Sequence, residues 1–471
     1  MRPPNQTARD LLPALLARRG RVAAADLAGQ LGVSVATLHR LLQAHPRQII
    51  SQGAARRARY AWRRPLRGQI APLPLIEVDA SGRSHTVAQL DLLQPQGSCL
   101  DLGGSSWPVP DEARDGWWDG LPYVLQDMRP QGYLGRQLAR AQHHSLGVSD
   151  NPQAWSDDDV AHVLSHIGSD CSGNLILGAA AFERWQALRL APPEPVAQAQ
   201  CGAHFAQLAQ RAVAAGVPGS SAAGEFPKFP ALRHLPGSGT PHVLVKFSAA
   251  EASAAVQRWS DLLVCERLAL QCLGEVPGCA SAACRIVQHG GRTFLELERF
   301  DRHGLWGRSP LVSLATLDAA FVGQGQGDWA RLAAGLHPLG LIDEATLRRI
   351  EWLGWFGRLI ANTDMHAGNL SFRPQPLGGA DHRPRQPGPL ALAPAYDMLP
   401  MAYAPLAGGE VAPRNFEPAL PQPHQRGVWL QAGEMAQQFW ARAATDSRIS
   451  DGFRRVCRDN ARTLLRLLDQ V

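Results

Sequence analysis

The chain has 471 residues, of which 45% are hydrophobic, so it is long enough for two or three globular domains. Its eight cysteines are scattered singly, which argues against a disulfide-stabilised secreted protein and against a zinc site built from paired cysteines. No apolar run approaches the roughly 18 residues of a membrane-spanning helix, and the first residues lack the pattern of a signal peptide. We therefore expect a cytoplasmic protein with reduced thiols and no membrane partner.

The positive charge of the chain is concentrated at its N-terminus. Residues 1–66 contain 12 arginines and two acidic residues, Asp10 and Asp26, which gives this segment a formal charge of +10. The whole chain carries +6, so the remaining 405 residues sum to about −4. A basic segment on a slightly acidic body indicates that the segment contacts a polyanion.

The periodicity of residues 1–66 predicts three helices and a hairpin. Leucines at helical spacing predict a first helix with Thr7 as its N-cap and Gly20 just after its end. AADLAGQLGVSVATLHRLLQ then predicts two helices that meet at Gly32, and Ser34 caps the second. RQIISQGAARRARYAW predicts two strands joined by a basic turn. This order is typical of a winged helix-turn-helix domain that binds double-stranded DNA.

In a winged helix-turn-helix domain, one helix meets base edges and the wing meets phosphates. The side chains expected at the bases are Ser34, Thr37, His39 and Arg40. The wing arginines are Arg56, Arg57 and Arg59. The alternative is a small helical protein-interaction domain with a solvated arginine face, but charge and element order together favour DNA.

Residues 67–200 carry little direct chemistry. Their sequence predicts a hairpin around the turn Asp-Ala-Ser-Gly, a helix near QGYLGRQLAR, and a helix, a Gly-rich turn and a strand in VAHVLSHIGSDCSGNLILG. The adjacent residues His143 and His144 do not share a helix face, so solvated side chains are favoured over metal ligands. The Pro-rich stretch 191–200 is typical of a linker.

Only two of the 47 basic residues are lysines, Lys228 and Lys246. Lys246 lies near the end of HVLVKF, an apolar segment that predicts a strand. A compact ammonium suits a position between phosphate oxygens better than the bulkier guanidinium fork does. A lysine retained in a chain so rich in arginine therefore indicates a nucleotide phosphate site.

Two later segments supply the polar groups that phosphoryl transfer requires. A helix that ends near Ile360 is followed by DMHAGN, which holds Asp364 and Asn369, and LALAPAYDMLP predicts a strand that delivers Asp397. Phosphoryl transfer needs a carboxylate that accepts a hydroxyl proton and oxygen ligands that hold magnesium. We expect Asp364 to be that carboxylate. Asn369 and Asp397 would hold the metal, and His366 would orient the loop.

These motifs, with LELERFDR, resemble those of the HipA-like serine/threonine kinases of bacterial toxin–antitoxin systems, especially the YjjJ-type members with an N-terminal helix-turn-helix. The resemblance covers about residues 70–471. It implies an α+β chain in which a winged helix-turn-helix domain precedes a two-lobed, protein-kinase-like body with a mostly helical C-lobe. The implied divisions are the helix-turn-helix domain, the HipA-like N-terminal subdomain, the kinase N-lobe and the C-lobe, at 1–66, 67–200, 201–300 and 301–471.

The resemblance also implies where ATP binds. The backbone of Glu298 and Phe300 would meet adenine at the hinge between the lobes. Asp301 would lie near the ribose, and Lys246 would contact the phosphates. Mg²⁺ would be the accompanying metal.

A further implied feature is a loop in which a serine is autophosphorylated, matched here by GSSAAGEFPKF. The serine is either Ser220 or Ser221, and Lys228 is the lysine of that loop. The acidic residue that pairs with the nucleotide lysine is either Asp261 or Glu266.

The leading hypothesis is a kinase that transfers the γ-phosphate of ATP to a serine or threonine of a protein target and to itself. The resemblance implies an aminoacyl-tRNA synthetase as the type of target, and a homodimer stays open. The N-terminal segment would act in cis on an operator or on the kinase. One alternative is an aminoglycoside- or choline-type small-molecule kinase, disfavoured by LERFDR and the basic N-terminus. The other is an inactive, nucleotide-sensing DNA-binding regulator, disfavoured by the full set of polar groups.

Replacing the wing arginines Arg56, Arg57 and Arg59 with alanine should weaken binding to duplex DNA of any sequence. The slope of log affinity against log salt should fall by about 3, because each arginine on a phosphate releases about 0.9 counterion. Fluorescence anisotropy of the full chain on a labelled duplex measures this slope. Alanines at Arg454, Arg455 and Arg458 provide a charge-matched control, and equal slopes for the two triple variants would contradict the expectation.

Overall fold

The computed structural model describes residues 6–54, 57–214, 225–375 and 389–471. These ranges contain both helices and short strands, and the strands form five sheets within the described part of the chain. The α+β class predicted from the sequence is thus confirmed. Within the same ranges, no helix has the length and apolarity of a membrane-spanning segment.

The N-terminal segment, residues 6–62, holds three helices and an antiparallel sheet in the order β1-β3-β2. Its elements are α1 (Gln6–Arg19), β1 (Val22–Ala23), α2 (Ala24–Leu31), α3 (Val35–Gln43), β2 (Ile49–Gln52) and β3 (Arg59–Trp62). Thr7 was predicted as the N-cap of the first helix, but α1 already includes Gln6, so Thr7 lies inside its first turn. Ser34 does cap α3, since its Oγ accepts the backbone N–H of Thr37 at 3.2 Å.

The N-terminal segment is joined to the next part of the chain by ion pairs that follow β3. Three arginines pair there with aspartates that lie later in the sequence, namely Arg63 with Asp91, Arg64 with Asp158 and Arg67 with Asp159. The first of these pairs is largely buried, with 14% of each side chain exposed and 2.7 Å between Nε and Oδ1. Part of the positive charge counted in residues 1–66 is therefore balanced within the protein.

The middle segment, residues 67–190, is built on a five-stranded antiparallel sheet in the order β7-β6-β5-β4-β8. Its elements are β4 (Leu73–Val78), β5 (Ser84–Leu92), β6 (Ser98–Cys99), β7 (Trp117–Trp118), α4 (Gly132–Leu146), α5 (Asp157–Ile167), β8 (Leu175–Leu177) and α6 (Ala179–Leu190). The predicted hairpin is the pair β4–β5, and the predicted helix, turn and strand are α5 and β8.

A second five-stranded sheet, in the order β12-β13-β11-β10-β9, follows the middle segment. It is accompanied by two helices, and the elements are β9 (Val196–Ala197), α7 (Cys201–Ala214), β10 (Lys228–His234), β11 (His242–Phe247), α8 (Ala254–Gly274), β12 (Cys284–His289) and β13 (Arg292–Glu298). Residues 191–200 were predicted to be a linker, but they supply the edge strand β9, which pairs in parallel with β10. The two lysines of the chain are direct partners across β10 and β11.

The remainder of the described chain is mainly helical. Its elements are β14 (Arg302–His303), β15 (Gly307–Arg308), β16 (Val312–Ser313), α9 (Leu314–Phe321), α10 (Trp329–Leu336), α11 (Glu344–Leu359), β17 (Ser371–Arg373), β18 (Ala391–Leu392), α12 (Arg426–Thr445) and α13 (Asp451–Gln470). One continuous hydrophobic core runs from the middle segment through α8 to α13. The body therefore packs as one unit, whereas α1–α3 enclose a small core of their own.

Gly307 lies where β15 packs against the turn between β4 and β5. A Cβ atom added there would lie 2.0 Å from the carbonyl oxygen of Ala80, a distance that no backbone tolerates. Gly307→Ala should therefore lower the free energy of unfolding by about 1–3 kcal/mol, as overpacking of a tight contact does.

Urea unfolding of the full chain measures this loss. Gly354→Ala in α11 is the matched control, because no described atom outside its helix lies within 4 Å of the added Cβ. Alanine is also the better helix former, so that variant should be unchanged or more stable by up to about 1 kcal/mol. Equal losses in the two variants would contradict the assignment of Gly307 as a close-contact position.

Candidate active site

The side chain of Lys246 joins three elements of the body. It leaves β11 with only 4% of its surface exposed, and its Nζ lies 2.7 and 2.8 Å from the two carboxylate oxygens of Glu266 on α8. The same Nζ also donates to the carboxylate of Asp397. The structure thus resolves the open choice of partner in favour of Glu266. Asp261 instead accepts the backbone N–H and the hydroxyl of Ser450, the N-cap of α13.

Opposite charges outweigh burial at Lys246 and Asp397, whereas burial raises the pKa of Glu266. Burial alone would lower the pKa of Lys246, but the carboxylates of Asp397 and Glu266 outweigh it and raise that pKa above its usual value. Burial would likewise raise the pKa of Asp397, but Lys246 and then Lys228 lower it below the usual range. The lysine and Asp397 are therefore both charged at neutral pH.

The carboxylate of Asp397 reaches Lys246 through an unusual backbone conformation. Asp397 has φ +55°, in the left-handed region that residues other than glycine rarely adopt. The predicted strand that would deliver it is only partly right, because β18 ends at Leu392 and Asp397 lies five residues further on. The turn, and not a strand end, aims this side chain.

Asn362, a residue not predicted from the sequence, is hydrogen-bonded to the backbone of both Asp364 and Asp397. Its Nδ2 donates to the backbone carbonyl of Asp397 at 3.1 Å, and its Oδ1 accepts the backbone N–H of Asp364 at 3.0 Å. Only 5% of Asn362 is exposed, so both bonds are shielded from water. The sequence Asn-Thr-Asp carries a signal for the second bond. In an Asx turn, an asparagine side chain accepts the backbone N–H of the residue two positions later.

The loop that carries Asp364 is closed by its own polar groups. Asn369, which is buried, donates from Nδ2 to the backbone carbonyl of Asp364 at 2.9 Å. The ring Nδ1 of His366 accepts the N–H of Gly368 at 3.1 Å, and its backbone carbonyl accepts the indole N–H of Trp329 at 3.0 Å. His366 thus makes the kind of orienting hydrogen bond expected of it. The side chain of Asp364 is exposed at the mouth of the loop.

Tyr396, which was also not predicted, directly precedes Asp397 and is hydrogen-bonded to this loop. Its hydroxyl donates to the carbonyl of Gly368 at 2.7 Å and lies 2.7 Å from the hydroxyl of Ser371. Its ring centroid lies 5.7 Å from that of Phe300. The loop, the Asp397 turn and the chain after β13 therefore meet at one tyrosine.

Lys228 lies beside Lys246 on the neighbouring strand, where its Nζ is 3.0 Å from the carboxylate of Glu225. Glu225 also accepts the backbone N–H of Tyr133 at 3.0 Å and a guanidinium N–H of Arg136 at 3.1 Å, both in the middle segment. The positive charge of Lys228 is one of the causes that lower the pKa of Asp397, which places it near the cluster. The candidate autophosphorylation residues Ser220 and Ser221 lie outside the described residues.

Of the residues expected at the nucleotide hinge, Glu298 is the last residue of β13 and Phe300 follows that strand. The carboxylate of Glu298 accepts hydrogen bonds from Arg233 and from the hydroxyl of Ser238, each at 2.6 Å. These bonds involve only the side chain and not the backbone of Glu298. Phe300 is half-buried against Tyr396.

Asp301, expected near the ribose, lies in a buried ionic network. Only 5% of it is exposed, and its carboxylate accepts from Arg299, Arg302 and the backbone N–H of Gly173. Burial would raise the pKa of Asp301, but the two arginines hold it far below its usual value. The structure therefore places this carboxylate in a buried ionic network with the middle segment.

The residues expected to contact DNA lie on α3 and on the β2–β3 hairpin. Ser34 is occupied as the N-cap, and Thr37 lies 3.0 Å from it and accepts from Arg40 at 3.2 Å. His39 and Arg40 are exposed on α3. Arg57 and Arg59 are exposed on the hairpin, whereas Arg56 lies outside the described residues.

The oxygen atoms of the site fit magnesium better than a metal that needs a complete protein cage. In the described ranges no group of three or more His, Cys, Asp or Glu side chains is arranged to hold a metal ion. Asn369 and Asp397 offer one amide and one carboxylate, which are hard oxygen ligands. Mg²⁺ is commonly held by one or two such groups, with phosphates and water as its other ligands.

Comparison with known proteins identifies relatives across nearly the whole chain. A family model described as "YjjJ-like toxin, middle domain" matches residues 69–186, and one described as "HipA-like C-terminal domain" matches residues 220–464. The chain is 37% identical over 453 residues to Toxin YjjJ of Escherichia coli (strain K12). That alignment covers 96% of this chain and 97% of the relative.

Two solved structures are also similar. One is HipA of Shewanella oneidensis MR-1, in a complex with HipB and operator DNA, with a TM-score of 0.49, 16% identity, and coverage of 84% of this chain and 97% of that one. The other is CtkA, a proinflammatory kinase of Helicobacter pylori, with a TM-score of 0.31, 13% identity, and coverage of 52% and 88%. The family assignment comes from the sequence matches.

Removing Glu266 should destabilise the body, because it leaves a buried ammonium with one carboxylate fewer. We expect Glu266→Ala to lower the free energy of unfolding by about 3–5 kcal/mol, as loss of one partner of a buried ion pair does. Glu344→Ala removes the partner of Arg348 in a pair whose side chains are 53% and 74% exposed. That control should cost no more than about 1 kcal/mol. Similar costs in urea unfolding would mean that the Lys246 pair is not buried in solution.

Proposed function

Since the chain belongs to the YjjJ-like toxins, whose body carries a HipA-like C-terminal domain, we propose that it is an ATP- and Mg²⁺-dependent serine/threonine protein kinase. The observation that carries the proposal is the convergence of Glu266 and Asp397 on the buried ammonium of Lys246. These three residues come from a helix, a strand and a loop, and the loop that holds Asp364 is hydrogen-bonded to the same place.

We infer that ATP binds between the second sheet and the helical part of the body. Lys246 would exchange its contact with Asp397 for the phosphates, while Glu266 keeps the ammonium in position. The backbone of Glu298 and Phe300 would receive adenine. The contact between the rings of Phe300 and Tyr396 supports this placement, because Phe300 follows the end of β13 and Tyr396 directly precedes Asp397.

Asn369 and Asp397 would hold Mg²⁺. When bound, this metal offsets the negative charge of the phosphates and helps to fix their position. The protein holds both ligand residues in advance, Asn369 through its bond to the Asp364 carbonyl and Asp397 through its left-handed turn and Asn362.

Asp364 would act as the base in the transfer step. A serine or threonine hydroxyl oxygen forms a bond to the γ-phosphorus as the bond from that phosphorus to the β–γ bridging oxygen breaks, which releases ADP. The hydroxyl proton passes to the carboxylate of Asp364. His366, through its bond to Gly368, holds the loop so that this exposed carboxylate faces the incoming hydroxyl.

We also propose that residues 1–66 form a winged helix-turn-helix domain that binds double-stranded DNA in cis with the kinase. The exposure of His39 and Arg40 on α3, and of Arg57 and Arg59 on the hairpin, supports this function. The ion pairs after β3 support a domain held firmly against the body rather than on a loose tether. The protein target, an aminoacyl-tRNA synthetase by family resemblance, and self-association belong to the same proposal.

Asp364→Asn should abolish phosphoryl transfer while leaving ATP binding almost unchanged. Asparagine keeps the size of the side chain but cannot accept the proton, so the rate should fall by about 10²–10⁴-fold. The measurement is transfer from γ-labelled ATP to the chain itself, without any other substrate, together with calorimetric titration of ATP.

Asp459→Asn, at a side chain with 73% of its surface exposed on α13, is the matched control and should keep full activity. Undiminished labelling of Asp364→Asn would overturn its assignment as the base. If the wild-type chain bound ATP without labelling itself but phosphorylated an aminoglycoside or choline, the protein-kinase proposal would give way to a small-molecule kinase.

A further inference from the structure

A second cavity, of about 460 Å³, lies between the middle segment and the chain that follows the hinge. Its wall includes polar side chains from both parts, among them Glu77, His85, Ser105, Asn174, Arg308 and Arg373. None of the residues assigned to ATP, magnesium or phosphoryl transfer lines it. Its volume is within the range of about 300–1,000 Å³ that small-molecule sites occupy.

Arg308 is a buried cation with unused hydrogen-bonding capacity. Only 5% of it is exposed, one guanidinium N–H donates to the carbonyl of Ser169 at 2.6 Å, and Nη1 has no partner among the described residues. Burial, and then the neighbouring charge of Arg302, lower the pKa of Arg308 to about 9, so it stays protonated at neutral pH. Within the described ranges no carboxylate lies within ion-pair distance of it.

The neighbouring arginines explain why Arg308 lacks a counter-ion. Asp170 and Asp301 are the nearby carboxylates, and each is paired with both Arg299 and Arg302. Arg308 is therefore the third arginine beside two carboxylates. A buried charge without a partner is costly, so such a group is expected to meet an anion that the chain does not itself provide.

Two more residues of the same cavity wall carry buried side-chain atoms without a hydrogen-bond partner in the described structure. Nε of Arg373 has no partner among the described residues, although another N–H of its guanidinium donates to the carbonyl of Phe300. Oδ1 of Asn174 is likewise unpartnered in the described structure, and only 1% of that residue is exposed. Buried polar atoms are nearly always hydrogen-bonded in folded proteins, so three wall residues with such atoms mark a region whose polar groups the described chain does not fully satisfy.

The acidic groups of the cavity do not cancel this positive wall. The carboxylate of Asp79 already accepts the N–H groups of Ser81 and Arg83 and the hydroxyl of Ser81. Burial raises the pKa of Glu77, and the charge of His85 opposes that rise. In the described ranges neither Glu77 nor Asp79 lies within ion-pair distance of Arg308 or Arg373, so these two guanidinium groups have no carboxylate partner on the cavity wall.

We propose that this cavity binds a small molecule with an oxyanion group, a carboxylate or a phosphate, held by Arg308 and Arg373. A guanidinium suits such a group because its parallel N–H donors match two oxygens at once. Because Arg373 also bonds to the Phe300 carbonyl, the site adjoins the hinge of the proposed nucleotide site.

Calorimetric titration of the full chain with sodium acetate and with sodium phosphate, at constant ionic strength, tests the proposal and separates the two oxyanion classes. We expect at least one probe to bind, and to bind about tenfold or more weakly in Arg308→Gln and in Arg373→Gln, since each removes a charge-assisted hydrogen bond. Arg462→Gln, at a guanidinium with 65% of its surface exposed, should bind like the wild type.

Lys246→Met separates this site from the nucleotide site, because phosphate bound at the second cavity survives that replacement. Thermal unfolding without probe shows whether each variant folds, and Arg373, which is only half-buried, gives an independent test if Arg308→Gln does not. Two results would overturn the proposal. One is that neither probe binds, and the other is that binding is retained in the folded cavity variants or is lost only in Lys246→Met.

Discussion

The buried ammonium of Lys246 is the constraint on which the rest of the site depends. A charge with 4% exposure is stable in a protein only if carboxylates are fixed beside it, and here α8 supplies Glu266 and the Asp397 turn supplies the second. This one ammonium therefore holds β11, α8 and the turn of Asp397 close to one another. Asp397 makes the contact at a left-handed residue, where backbone strain of the order of 1–3 kcal/mol is offset by these bonds. Lys246 thus links the stability of the body to the geometry of the proposed phosphoryl-transfer site.

Much of this site follows from local sequence. A lone lysine in an apolar strand and the spacing of Asp364 and Asn369 are chemical signals that need no tertiary information, and so are the helices and hairpin of the N-terminal segment. The partner of Lys246 was not decidable in the same way, because residues 259–266 are all buried and no exposed face separates Asp261 from Glu266. The role of Asn362 was only half visible, because its bond to the N–H of Asp364 is local whereas its bond to the carbonyl of Asp397 depends on a turn 35 positions later in the chain.

The abundance of arginine has a different meaning in the structure from the one that composition suggests. Several arginines form internal ion pairs, including Arg63 and Arg64 at the join of the N-terminal segment and Arg299 and Arg302 beside the hinge. In this second group, the guanidinium groups of Arg299 and Arg302 bind the carboxylate oxygens of Asp301. Arg308, in the same neighbourhood, is left without such a carboxylate. Arginine therefore has at least three uses in this protein, namely internal pairing, exposed charge on the N-terminal segment and the lining of one cavity.

The central claim is that Lys246, Glu266, Asn369 and Asp397 surround one nucleotide with its metal. A crystal structure of the full chain with a non-hydrolysable ATP analogue and Mg²⁺ tests it most directly. The account predicts phosphate oxygens at the Nζ of Lys246, Glu266 still bonded to that ammonium, and the metal between Asn369 and Asp397. A nucleotide bound elsewhere, or a bound nucleotide with Asp397 still covering Lys246 and no metal at Asn369, would contradict it.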